Sequence, residues 1–204
     1  MAWPAFVVGL CIIALAAPRF VSEIILLSAR TRIVDIQSGK EAGEPGELAG
    51  MAAAIETAGD WTGDGRLIAD GGLLLMRQAA LTTNQAERLL LLRRALALTE
   101  TGLRRSPAHP VGWTRLVALR FALGEPEKAA QALRLSLLTG PVVPQITASR
   151  LTQGLTLLPY LDPDTRQLLA RQVRFLHSSQ PQQLETLATT PAAAQFIQQA
   201  LIRG

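Results

Sequence analysis

The chain of 204 residues is long enough for one domain with an appendage, and its composition excludes several classes of protein. Apolar residues account for 49% of the sequence, aromatic residues for only 4% and charged residues for 18%, and the prominence of Leu and Ala favours packed helices over β-structure. A single cysteine excludes an internal disulfide, and a formal charge of +4 without basic residues interleaved with aromatic ones argues against a nucleic-acid partner.

The first predicted element is an apolar helix at the N-terminus. The stretch AWPAFVVGLCIIALAAP contains no charged or strongly polar side chain, and the apolar character resumes after Arg19. A helix over residues 3–28 is long enough to cross a bilayer core, with Trp3 at one interface and the Arg19–Glu23 pair near the other. We therefore predict a transmembrane anchor at residues 1–32, in a single-pass protein of a bacterial inner membrane.

Two other interpretations of this segment stay open, and the side of the membrane is ambiguous. The small residues of ALA at 14–16 resemble a signal-peptide cleavage site, although no basic region precedes them, and a buried or amphipathic helix of a soluble protein is the third interpretation. Arg19, Arg30 and Arg32 favour a cytoplasmic body by the positive-inside rule. An apolar helix at the extreme N-terminus is typical of signal anchors that export the C-terminal part of the chain, so we favour the periplasmic side.

Residues 33–65 are predicted to form a linker with short helices. The Gly, Glu and Pro residues of EAGEPGELAG indicate a hinge, and a short amphipathic helix is predicted at 47–58. The cluster AGDWTGDGR after this helix lacks the alternating ligands and the terminal Glu of a calcium loop, so we interpret it as a turn.

From residue 66 to the C-terminus the sequence predicts pairs of helices and no strand. Thr83 or Asn84 and the later Asp162 are placed to cap helices, prolines mark first turns, and glycines mark helix ends. The predicted helices cover residues 67–81, 85–105, 111–123, 126–139, 145–158, 163–177, 182–188 and 191–202. Residues 66–204 are therefore predicted to be one helical-repeat domain.

A 34-residue interval separates Pro107 from Pro141 and contains an ordered pattern. Six residues in or closing this interval have defined types and spacings: Trp113, Leu116, Gly124, Ala129, Leu133 and Pro141. The pattern resembles a tetratricopeptide repeat, with Val117 and Arg120 as departures where that family has Gly and Tyr. The preceding interval is a degenerate copy, and the next one toward the C-terminus matches only in being helical.

The resemblance implies an all-α fold in which an α-solenoid of degenerate, tetratricopeptide-like hairpins follows the anchor. In that family the first helix of each pair binds partner proteins on a concave surface. Residues 76–120 contain eight Arg and two Glu, whereas residues 36–75 contain two basic and seven acidic residues, so a basic patch is also predicted. The predicted partner-binding residues are Arg104, Arg105, Thr114, Arg115, Ala118, Arg120 and Phe121.

No residue pattern predicts catalysis, a metal site or a cofactor. His109 and His177 are interpreted as surface or helix-capping residues, because neither lies in a motif of a catalytic triad. Asp60 and Asp64 belong to the predicted turn. We therefore predict that the protein is not an enzyme, and we predict no small-molecule substrate.

Together these features predict a membrane-anchored scaffold or adaptor for protein partners in a bacterial envelope assembly. Short anchored repeat proteins that this chain resembles accompany polysaccharide biosynthesis or secretion, which is the expectation that the resemblance implies. The alternative is a small accessory subunit of a membrane enzyme, which packs its transmembrane helix against other helices through Gly9, Ala14 and Ala17.

Overall fold

The computed structural model describes residues 44–202 and, nearer the N-terminus, residues 6–10, 12–17, 20, 21 and 24. Every regular element among these residues is a helix, which confirms the all-α prediction. We number the helices of residues 44–202 as α1 (Pro45–Thr62), α2 (Gly65–Leu81), α3 (Gln85–Arg105), α4 (Pro110–Ala122), α5 (Pro126–Thr139), α6 (Pro144–Thr156), α7 (Pro163–Ser179), α8 (Pro181–Thr186) and α9 (Pro191–Ile202). A 3₁₀ turn, Leu158–Tyr160, lies between α6 and α7.

The helix ends follow the capping chemistry of the sequence. The side chain of Asn84 accepts hydrogen bonds from the backbone N–H groups of Ala86 and Glu87 at 2.9 and 3.2 Å, so it caps α3. Asp162 caps α7 in the same way, and α4 to α9 all have a proline in their first turn. The predicted helices from α2 onward therefore agree with the structure within two residues at each end.

Helix α1 is longer than the predicted helix at 47–58. Its buried face extends to the end of the predicted segment at residue 58. Four almost completely buried residues form this face: Leu48, Ala52, Ile55 and Ala58. The helix then runs through the predicted turn as far as Thr62, and Gly63 ends it with a φ of 70°. A left-handed glycine is a common helix terminator, and here it allows α2 to begin two residues later.

The chain forms two compact units, Met1–Ser106 and Pro107–Gly204. The predicted repeat domain, 66–204, is thus divided between both units. In the first unit, α2 and α3 approach so closely that a Cβ atom built on Gly65 would lie 2.3 Å from the carbonyl oxygen of Gly102. Only glycine permits this backbone contact, which holds the two helices as a tight hairpin.

In the second unit, α4 and α5 form a hairpin whose turn contains Gly124 at a φ of 77°. The residues of the repeat-like pattern lie in this hairpin and at its end. Leu116, Ala129 and Leu133 are buried between the helices, and Trp113 donates from Nε1 to the carbonyl oxygen of Pro107 at 2.7 Å. Pro141 follows the end of α5. The relationship to the tetratricopeptide family itself stays a prediction.

The prediction of a single-pass inner-membrane protein is wrong. Much of the predicted anchor, including Trp3, Arg19 and Glu23, lies outside the described residues, as does the predicted hinge up to residue 43. Nowhere in the described part of the chain is a helix both long and apolar enough to cross a membrane. The longest of the described helices, α3, has 21 residues, but charged side chains occur along its whole length. The accessory-subunit alternative stays an untested prediction.

Candidate functional site

Two of the predicted partner-binding residues lie at the end of α3 in the first unit. Arg104 donates from Nη2 to the hydroxyl of Thr101 at 2.7 Å, and Arg105 forms an ion pair with Asp60 at 2.9 Å. Both arginines are exposed, so their positive charges face solvent. An exposed ion pair of this kind contributes little to stability, which leaves Arg105 accessible to a partner.

The other five predicted partner-binding residues lie on α4 in the second unit, where helix packing separates them into two groups. Thr114 and Arg115 are only 6% and 7% exposed, so the structure places these two in the core and not on a binding surface. The reason is that their face of α4 packs inward, where the hydroxyl of Thr114 lies 2.7 Å from that of Ser136 on α5. Ala118 is half-buried, and Phe121 is 47% exposed.

Arg120, the remaining member of this group, is half-buried and forms an ion pair with Glu125 in the turn after α4. Hydrogen bonds from Arg120 and from Lys128 hold the pKa of the Glu125 carboxyl below its usual value. Arg120 therefore stabilises the turn of the hairpin. On α4, the accessible part of the predicted surface is Phe121 with the half-buried Ala118 beside it.

A buried arginine, Arg150 of α6, organises the centre of the second unit. Arg150 is fully buried. Its Nε donates to the hydroxyl of Ser136 at 2.9 Å. Nη1 donates to the carbonyl oxygen of Gly140 at 2.7 Å, and Nη2 donates to the carbonyl oxygen of Ser136. These carbonyl groups belong to the last turn of α5 and its cap, which have no partner within the helix. Burial lowers the pKa of Arg150 to about 10, so the guanidinium stays charged at neutral pH.

The hydrogen bonds around Arg150 extend to α4. Ser136 Oγ donates to the carbonyl oxygen of Pro110 at 2.9 Å, and Gln153 Nε2 donates to that of Thr114 at 3.1 Å. Side chains of α6 thus bind both the start of α4 and the end of α5. Because this polar cluster is buried, it fixes how the three helices pack and offers no surface to a substrate.

The two aspartates of the predicted turn and the two histidines occupy structural positions. Asp60 pairs with Arg105, and Asp64 accepts hydrogen bonds from the backbone N–H groups at the start of α2. His109 precedes the first turn of α4, and His177 is exposed in the last turn of α7. The two aspartates lie in the first unit and the two histidines in the second.

A groove of about 550 Å³ lies between α7 and α9 in the second unit. Its lining combines three arginines with amide and apolar side chains, and we name it the arginine groove: Pro163, Arg166, Gln167, Ala170, Arg171, Arg174, Phe196, Gln199 and Ala200. The volume is that of a typical ligand site. Since the lining contains no carboxylate, the positive charge of the three arginines is not neutralised within the groove.

Two of the three arginines are held in place by backbone carbonyl groups. Arg174 donates from Nη1 to the carbonyl oxygen of Ala200 at 2.9 Å, and Arg166 donates from Nη2 to that of Leu158 at 2.8 Å. Arg171 has neither a hydrogen bond nor an ion pair with the described part of the chain. A guanidinium has five N–H donors, so the tethered arginines also retain donors for a ligand.

The acidic residues at the start of α7 are bound to another arginine. Asp162 and Asp164 lie 3.1 and 3.5 Å from the guanidinium nitrogens of Arg134 on α5. Asp162 also accepts hydrogen bonds from the hydroxyl and the backbone N–H of Thr165, and these bonds together with Arg134 lower its pKa to about 2. These contacts direct both carboxylates toward Arg134 and the start of α7.

The arginine groove is absent from the sequence-based predictions. The arginines at 166, 171 and 174 recur at i, i+5 and i+8, which places them within one broad face of a helix, and a helical wheel of α7 contains that signal. The opposite wall comes from α9, including Phe196. Nothing in the local sequence indicates that α9 packs beside α7, so the groove itself is a tertiary feature.

Comparisons with known proteins do not identify a family. No protein-family model matches the sequence, and neither a curated protein nor a solved structure matches the chain at a significant level.

Proposed function

We propose that the protein is a non-enzymatic adaptor made of helical hairpins, which binds a segment of a partner protein in the arginine groove. The observation that carries the proposal is the concentration of three arginine side chains, without a carboxylate, in one groove between two helices. Such a surface attracts anionic groups. Gln167 and Gln199 add amide donors and acceptors that suit a peptide backbone.

In a finer part of this proposal, the α4–α5 pair is a degenerate tetratricopeptide-like repeat within an α-solenoid. The buried Leu116, Ala129 and Leu133 and the left-handed Gly124 support it, because they occupy the positions that such a repeat needs for close helix packing and a tight turn. In this family the first helix of a pair faces the partner, so the exposed Phe121 of α4 is a second proposed contact. A role in polysaccharide biosynthesis or secretion stays a prediction.

Site-specific crosslinking in living cells tests the adaptor proposal. The photoreactive amino acid benzoylphenylalanine replaces Gln167, which is an exposed residue of the groove, in the full chain expressed in its native host. We expect one crosslinked protein of defined mass after irradiation. Combining this change with Arg171→Glu is expected to remove the product, because a negative charge then faces the anionic segment.

The matched control places the same photoreactive group at Gln131, an exposed glutamine of α5 that does not line the groove. No product of the same mass is expected there. The adaptor proposal fails if Gln167 gives no defined product, if Gln131 gives the same one, or if the product persists when residue 171 carries the opposite charge.

A further inference from the structure

The arginine groove also indicates the chemistry of its ligand. Arg171 and Arg174 are three residues apart on α7, so they are neighbours on the helix surface, and both line the groove. The hydrogen bond to the carbonyl oxygen of Ala200 holds the Arg174 guanidinium in one orientation. Arg171 has no such bond with the described residues, so its guanidinium can turn toward a ligand next to Arg174.

A phosphate monoester matches two adjacent guanidinium groups better than a carboxylate does. A carboxylate offers two oxygen atoms and one negative charge, whereas a phosphate monoester offers three terminal oxygens and a charge of about −1.5 to −2 at neutral pH. Each guanidinium fork can bind two oxygens of the same phosphate. The groove contains a third arginine, Arg166, and no acidic residue, so its charge also favours the more highly charged anion.

The groove contains an apolar surface beside these cations. Phe196 and Ala200 come from α9, and Ala170 lies on α7 between Arg166 and Arg171. Phe196 is half-buried, so one part of its ring is accessible. An aromatic face next to guanidinium groups suits a ligand in which an apolar group carries the phosphate.

We propose that the arginine groove binds the phosphate of a phosphorylated side chain in the partner segment. Arg171 and Arg174 bind the phosphate oxygens, and Phe196 contacts the apolar part of the phosphorylated residue. This inference rests on the proposed adaptor function, but a small probe can test it independently of any partner.

Charged residues on the helices that pack with α7 determine which controls a pH-dependent measurement needs. Besides the groove arginines, α7 carries Asp164, which is paired with Arg134 of α5, and the exposed His177; α5 also carries the exposed Glu127 and Lys128, α8 the exposed Glu185, and α6 the buried Arg150. The described helix α9, Pro191–Ile202, contains no charged residue. The comparison with benzoate, which meets the same surrounding charges, controls for their effect on anion binding.

The test is isothermal titration calorimetry of the full chain with phenyl phosphate and, for comparison, benzoate, at pH 5 and pH 7. Because the second pKa of a phosphate monoester is about 6, its dianion fraction rises about tenfold between these pH values, and the affinity for phenyl phosphate is expected to rise about tenfold with it. Benzoate keeps a single charge and is expected to show no such gain. Arg171→Gln and Arg174→Gln are each expected to weaken phenyl phosphate binding by about tenfold.

The matched control is Arg88→Gln, the same substitution at an exposed arginine of α3 in the first unit, and it is expected to leave the affinity unchanged. Circular dichroism confirms that each variant is folded. If Arg174→Gln does not fold, Arg171→Lys serves instead, and we expect it to lose part of the affinity because it keeps the charge but not the fork. Equal binding of benzoate and phenyl phosphate at pH 7, or an unchanged affinity in Arg171→Gln, would overturn the phosphate assignment.

Peptide libraries separate a phosphorylated side chain from a free phosphorylated molecule. Phosphoserine and phosphotyrosine peptides are expected to bind wild type and not Arg171→Gln, while their unphosphorylated forms do not bind. Binding of phenyl phosphate but of no phosphopeptide would overturn the assignment to a side chain. A crosslinked product from Gln167 without any phosphate binding would remove the phosphate inference and leave the adaptor proposal standing.

Discussion

A single added methyl group is expected to have opposite effects at two glycines of the first unit. A Cβ atom at Gly102 of α3 would lie 2.4 Å from the carbonyl oxygen of Gly65 and 2.6 Å from the backbone nitrogen of Ala69, both on α2. A Cβ atom at Gly50, an exposed position inside α1, would meet nothing within 4 Å beyond its own helix backbone. Comparing Gly102→Ala with Gly50→Ala therefore isolates the contribution of the close approach between α2 and α3.

The expected magnitudes follow from the same distances. Alanine is more favourable than glycine in a helix interior by about 0.5–1 kcal/mol, so Gly50→Ala is expected to raise the free energy of unfolding by about that amount. At Gly102 the groups in the way are backbone atoms, which cannot rotate aside, and ordinary contact begins only at 3.4 Å. Helices α2 and α3 must separate to admit the methyl group, and overpacking of this kind costs about 1–3 kcal/mol. Because the higher helix propensity of alanine offsets part of this cost, Gly102→Ala is expected to lower the free energy of unfolding by about 1–2 kcal/mol.

Urea unfolding followed by far-ultraviolet circular dichroism measures both changes. Hydrogen exchange of peptides from α2 and α3 then assigns the change to the first unit, because the second unit has its own core. Faster exchange in α2 and α3 is expected for Gly102→Ala only. A Gly102→Ala variant that is as stable as wild type, or a Gly50→Ala variant that is equally destabilised, would refute the argument from backbone contact.

Three further predictions concern the second unit. Arg150→Met leaves the buried carbonyl oxygen of Ser136 and the part-buried one of Gly140 without their donor. It is expected to lower the free energy of unfolding in urea titrations by about 2–4 kcal/mol, with only partial recovery in Arg150→Lys, and unchanged stability would contradict the role of the guanidinium. Because its folded-state pKa is lowered to about 2, Asp162 is expected to contribute stability that is present above its ordinary pKa and is lost as the pH falls from about 4 to about 2. Asp162→Asn keeps a capping oxygen but no ionisable group, so its melting temperature is expected to depend less steeply on pH. Gly124→Ala is expected to lower the melting temperature, since a φ of 77° strains any residue with a Cβ atom, whereas Gly124→Asn is expected to cost less; equal melting temperatures of both variants would argue against backbone strain.

Local sequence chemistry was sufficient to predict the helices. Asp162 caps its helix as predicted, and of the two candidate caps Thr83 and Asn84 it is Asn84 that caps α3. Gly124 ends the first helix of the α4–α5 hairpin in the left-handed conformation. These outcomes depend on interactions between residues a few positions apart, which the sequence displays directly. The prediction of a membrane span at the N-terminus was wrong, since no helix in the described part of the chain is long and apolar enough to cross a membrane.

Which surfaces the helices bury or expose was decided by the tertiary structure. Thr114 and Arg115 were predicted to face a partner, but the packing of α4 against its neighbours places them in the core. Arg150 carries no sequence signal of burial, and its position depends on carbonyl groups at least ten residues away.

The sequence by itself therefore determined that the chain is helical, where the helices from α2 onward begin and end, and which glycines and prolines form the turns. Only the tertiary structure determined that α9 lies beside α7 and that Arg166, Arg171 and Arg174 share a groove with Phe196. The physical reason is the range of the interactions. Helix propensity and capping act within a turn or two along the chain, whereas a groove requires side chains from segments whose spatial proximity is set by packing of the whole unit.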